Sequence, residues 1–171
     1  MARKASPALV ISNWYHLLEN FQASPLEFYT GVEAALKKRQ APDVKVSRVD
    51  WREGGLLSAK REYLRIKRKS FIFDICGAPF GTGFFVSWWL GEKPAGLVGL
   101  LVSLPFIGWF FNWLIRPDTY YKIDTALMFQ ETVHNSVMEV VDGLTTAKGV
   151  RGLTELERKP TMKGLDRKSV V

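Results

Sequence analysis

The feature that most constrains this chain is an almost uncharged stretch in its middle. From Ile75 to Ile115 the only charged residues are Glu92 and Lys93; 25 of these 41 residues are apolar and seven more are glycine. The two charges adjoin Gly91 and Pro94, a quartet that reads as a tight turn. The turn splits the stretch into two arms, Gly77–Leu90 and Ala95–Ile115. As a helix the second arm is about 31 Å long, and a bilayer core is about 30 Å thick. The first is about 21 Å, and spans only if Phe71–Cys76 join it. A helix of the second arm's length in water normally exposes a polar stripe, and this one has none. The pattern predicts a two-helix transmembrane or re-entrant hairpin over residues 76–115, with the turn at 91–94.

Details of the stretch fit that expectation. Trp88 and Trp89 precede the turn, and Trp109, Trp113 and Arg116 close the second arm, as interface anchors do. Gly77 and Gly81 form a G-x-x-x-G pair. Ala95, Gly99 and Ser103 continue small residues at the same spacing, so these five are candidates for helix–helix contact. Pro79 and Pro105 predict kinks. Asp74 stands at the boundary, where pairing with a nearby base is its simplest role.

Charge divides the chain. Residues 1–69 carry 14 basic and 7 acidic side chains, residues 70–115 carry three charges, and residues 116–171 carry 9 basic and 8 acidic. Lys60, Arg61, Arg65, Lys67, Arg68 and Lys69 crowd just before the apolar stretch. By the positive-inside rule, an integral membrane protein with both termini cytoplasmic is expected. The same six bases are the candidate surface for anionic headgroups or a partner.

The flanks read as α+β. Trp14, Leu17, Leu18 and Phe21 have helical spacing over Ser12–Phe21. Ser24-Pro25-Leu26-Glu27 reads as a capping box opening a helix to about Gln40, with Lys37, Lys38 and Arg39 in its last turn. Val44 and Val46 alternate with polar residues and Val49 and Trp51 take the other parity, a switch that suggests a bulge or a short strand; Leu56–Lys67 predicts a strand with one basic face, and Ser70–Ile75 alternates again. An amphipathic helix spans about Asp124–Lys148. Val133, Val137, Val140 and Leu144 lie in its stripe, Gln130 interrupts it and His134 stands beside it; Gly149 is the stop. The expected organisation is an N-terminal part, 1–75, with helices and a small antiparallel sheet. The hairpin follows, then a helix in 116–149 packing back on the first part, and a mobile tail, 150–171.

Catalytic signatures are missing. Cys76 is the single cysteine, which excludes an intramolecular disulfide, and His16 and His134 have no metal-ligand spacing. No phosphate loop, dinucleotide fingerprint or nucleophile elbow is present. Neither an enzyme nor a cofactor is expected. The sequence points to a membrane-anchored binding, scaffold or accessory subunit, with an oligomeric pore or transport component (holin-like or a channel subunit) as the alternative. The expected partners are anionic lipid headgroups and a protein or a second copy of the chain; nucleic acid is not expected.

Overall fold

Phe71–Phe80 and Gly83–Glu92 are adjacent antiparallel strands, joined by a two-residue turn at Gly81-Thr82. Gly81 has φ +58°, the left-handed value that the first central position of a type II′ hairpin turn requires. The structure, a computed structural model, describes residues 3–4, 9–52, 60–93 and 119–162. In chain order its elements are β1 (Arg3–Lys4), β2 (Leu9–Leu18), α1 (Pro25–Lys38), β3 (Lys45–Arg52), β4 (Lys60–Arg68), β5 (Phe71–Phe80), β6 (Gly83–Glu92), α2 (Tyr120–Ala147) and β7 (Thr161–Met162). The strands form one sheet in the order β1-β3-β4-β5-β6-β2-β7. Its body is five long antiparallel strands. The two-residue strands lie at its edges, β1 parallel to β3 and β7 antiparallel to β2.

Register assigns each residue a face. Arg48, Leu64, Ile75, Trp88 and Trp14 lie in one row across β3, β4, β5, β6 and β2, and both helices cover this side. Phe28 of α1 meets Phe84 edge-on, and Phe129 of α2 meets Phe73 in the same way. Val133 and Val137 of α2 are fully buried in this core with Val32 and Leu36 of α1. The helices also touch each other: a Cβ on Gly31 would stand 3.0 Å from Cγ1 of Val140. Arg39 adds an ion pair to Glu139 at 2.6 Å. Gly77 admits α1 to the sheet, because a Cβ there would stand 2.4 Å from Cδ1 of Phe28. The Tyr29 hydroxyl accepts the Gly77 N–H and donates to the Glu62 carbonyl, tying the same helix to β4 and β5.

The membrane hairpin is overturned. Its first arm, Gly77–Leu90, is the end of β5, the Gly81-Thr82 turn and most of β6. Among the described residues no helix is long and apolar enough to cross a membrane. The longest, α2, has 28 residues but carries Lys122, Asp124, Glu131, Glu139 and Asp142. The second arm, Ala95–Ile115, lies outside the described residues. With the hairpin go the fold class built around it, the integral-membrane placement with cytoplasmic termini, the anchored-subunit reading and the pore alternative. The physical reason for the misreading lies in burial. On the face away from the helices Val49, Ile72, Cys76 and Ser87 are also buried. A strand withdrawn from water on both faces loses its polar alternation and reads as one apolar run.

Two smaller expectations also change. Residues 12–18 belong to the strand β2, not to a helix: Trp14 and Leu18 point to the core, while Tyr15 and Leu17 are exposed on the other face. Apolar residues on both faces of a strand mimic helical spacing. Ser24 does precede α1 with Pro25 behind it, but its side chain makes no capping hydrogen bond.

Candidate functional site

The bases before Phe71 are separated by the strand that carries them. Arg65 projects from β4 away from the helices and is only 3% exposed. Its Nε and Nη2 each donate to a carboxylate oxygen of Asp74 at 2.6 Å, the fork-to-fork geometry that makes such pairs strong. Trp51 lies under the same guanidinium, 5.8 Å from ring centroid to Cζ. Arg65 is thus a structural ion. Arg61 is exposed and Lys67 is partly buried on the same strand face; of Lys60 only the backbone is described. Arg68 donates its Nε to the Pro42 carbonyl, and Lys69 is exposed.

The end of the sheet where Arg68 and Lys69 lie gathers further bases. Lys45 opens β3 opposite Lys67, and Lys93 donates its N–H to the Ser70 carbonyl. The N-terminus of α2 arrives here too. Lys122 pairs with Glu92 at 2.9 Å, and the Lys69 ammonium lies 5.9 Å from the centroid of the Tyr121 ring. Tyr120 and Tyr121 are 88% and 72% exposed. Lys69 itself has φ +53°. It occupies the same position in the β4–β5 turn that Gly81 occupies in the β5–β6 turn. For a residue with a Cβ this conformation costs about 1–2 kcal/mol. The fold therefore holds a lysine in a strained turn at its most basic end.

The other sequence candidates are dispersed. Trp88 is fully buried, and its neighbour Trp89 points to the opposite face, partly exposed. Gly77 is on a strand under Phe28 and Gly81 is in a turn, so neither meets a second helix as the hairpin required. Trp109, Trp113, Arg116, Ala95, Gly99 and Ser103 lie outside the described residues.

A second constellation is internal, between α2 and β2/β6. Gln130 accepts from the Ser12 hydroxyl at 2.5 Å, and His134 Nδ1 accepts the Trp88 indole N–H at 3.1 Å. Trp14 meets the His134 ring edge-on and donates its own N–H to the Glu157 carbonyl at 2.7 Å. Burial holds the His134 imidazolium below its ordinary range, and the Arg158 charge pushes the same way. Glu131 and a hydrogen bond to the Arg158 backbone oppose them. Burial also raises the Cys76 thiol, the opposite of what a reactive cysteine needs. Among the described residues no cluster of His, Cys, Asp or Glu is placed to hold a metal.

Sequence reasoning missed this seam and the tyrosines beside Lys69. The visible signal was Gln130 and His134 interrupting an apolar stripe, since polar residues on a buried helix face need partners. Their partners come from β2, β6 and the segment after α2, and spacing along α2 cannot name them.

No family model and no curated protein matches the chain. A search of solved structures finds the crystal structure of TTHA0849 from Thermus thermophilus. It is 14% identical, with 78% of this chain and 98% of that chain covered and a TM-score of 0.26. A likeness of that size carries no argument about fold or function.

Proposed function

We propose that this protein is a binding domain that docks its basic end on an anionic lipid surface. The carrying observation is Lys69, held in a left-handed turn conformation above Tyr121 and flanked by Lys45, Arg68 and the exposed Tyr120. Bases attract anionic headgroups by about 1 kcal/mol each within a Debye length. Tyrosine suits the same boundary, because its ring is apolar and its tip is wet. The basic strand face expected from sequence contributes less than its composition promised, since Arg65 is neutralised by Asp74. Nucleic acid offers similar charge and stacking chemistry. Lipid is favoured because the chain leaves this end at Lys93 and returns at Thr119, and the sequence between is uncharged from Ala95 to Ile115.

Co-sedimentation of the full chain with phosphatidylglycerol-containing and pure phosphatidylcholine vesicles tests the reading. Binding to the first and not the second is expected, weakening as salt rises. Lys45→Gln and Lys69→Gln should each lower affinity about fivefold. Equal binding to both vesicles, or capture by single-stranded DNA with none by anionic vesicles, would overturn it.

A further inference from the structure

The two histidines of this chain, 118 positions apart, converge on one short segment. After α2 the chain turns at Gly149, φ +65°, and runs back as a strap over the sheet edge to β7. Leu153 is its buried anchor. Arg158 clasps Asp142 of α2 with two hydrogen bonds, 2.9 and 2.7 Å. The Glu157 carbonyl takes the Trp14 indole N–H, and Thr161 and Met162 pair with Asn13 and Ser12 of β2. His134 lies beneath this strap with both sides of its ring engaged, by Trp88 on β6 and by the Arg158 backbone. His16, stacked on Trp14, stands 4.0 Å from the Glu157 carboxylate.

We infer that the strap, Arg151–Met162, is an acid-released latch: it closes the outer edge of β2 while His134 is neutral and lets go when His134 takes a proton. The geometry sets the sign. Nδ1 is an acceptor only in the neutral ring; a proton there faces the Trp88 N–H, donor against donor. Burial is the main penalty on the new cation and outweighs both Glu131 and the hydrogen bond from the ring to the Arg158 backbone, and the Arg158 guanidinium that fastens the strap to α2 adds to it. Other charges facing this region are Glu131 on α2 itself, Asp142 behind Arg158, and Glu157 with His16 at the β2 side. Glu157 stays ionised down to about pH 2, held by Arg151 and Thr154, so it does not titrate with the latch. His134 controls the latch because its proton breaks a core hydrogen bond. Release uncovers the Ser12–Asn13 backbone, an open strand edge that another strand can pair with.

Hydrogen exchange of the full chain from pH 8 to pH 4.5, corrected for intrinsic rates, reads the latch. Strap amides are expected to lose protection at least tenfold as pH falls, with β5 and β6 amides retained. In NMR the Trp88 indole resonance and the His134 ring should titrate with the same midpoint. His134→Gln keeps an acceptor for the indole and does not titrate, so its strap protection should be flat across the range. His16→Asn should keep the transition. Strap protection unchanged while the His134 ring titrates would overturn the inference. So would loss of strap and sheet protection together, or an unshifted transition in His134→Gln. If that variant does not fold, coincidence of the two wild-type midpoints decides, and separate midpoints refute the latch.

Discussion

Arg65 and Asp74 face each other across the β4–β5 ladder, joined by two hydrogen bonds of 2.6 Å on the side of the sheet away from the helices. They belong to a row that crosses the sheet from Ser47 through Arg65, Asp74 and Trp89 to Asn13. A base expected to greet solvent or lipid is an internal strut of the sheet. Its neighbours Arg68 and Lys69 lie at the strand end, where Arg68 donates to the Pro42 carbonyl and Lys69 faces the Tyr121 ring.

Removing one partner of that pair should cost more than removing both. Asp74→Ala leaves a buried guanidinium without its carboxylate and should destabilise by about 3–5 kcal/mol. The double variant Arg65→Met/Asp74→Leu should recover most of that loss. Urea denaturation of the three proteins measures it; equal loss in single and double variants would show that the ion pair is not the strut.

Gly77→Ala should destabilise by about 1–3 kcal/mol, because its Cβ would stand 2.4 Å from Phe28 and α1 must lift from β5. Gly83→Ala meets the Leu18 carbonyl at 2.8 Å and should behave similarly. Thermal melts check both. Gly143→Ala, with open space at its Cβ on α2, should instead stabilise by about 1 kcal/mol through helix propensity.

Lys69→Gly should separate stability from binding. Glycine relieves the left-handed turn, and stability should rise by about 1 kcal/mol. Loss of the charge above Tyr121 should lower affinity for anionic vesicles about fivefold. A variant that gains stability and keeps full affinity would remove Lys69 from the docking surface.

Stability should fall on the acid side of neutrality. His134 has a folded pKa below its ordinary 6.5, so the unfolded chain binds the proton more readily. Its contribution is full above about pH 6.5 and is lost as pH falls through the lower folded value. Urea midpoints at pH 8, 6.5 and 5 measure this. The fall should be shallower in His134→Gln.

Much of the molecule follows from local sequence. Pro25 after Ser24 starts α1, and Lys37 and Lys38 end it. The 3–4 spacing of Val133, Val137 and Val141 gives α2 its buried stripe, and Gly149 turns the chain after it. Alternation marks β3 and β4, down to the basic parity of Arg61, Arg65 and Lys67. These are signals between near neighbours, where one backbone period sorts side chains to one side.

Tertiary structure alone decided the middle of the chain and the seam. Apolar composition says that Gly77–Leu90 leaves water; it does not say for what. A membrane helix satisfies its backbone within itself, whereas β5 and β6 satisfy theirs on each other, on Arg65 and its neighbours in β4, and on Trp14 and its neighbours in β2. Those partners are distant in sequence, so no window around the stretch reveals them. The same holds for His134, whose role depends on Trp88, Trp14 and Arg158 arriving from three other parts of the chain. Local period is written in the sequence, but a hydrogen bond between distant positions exists only once the chain has folded.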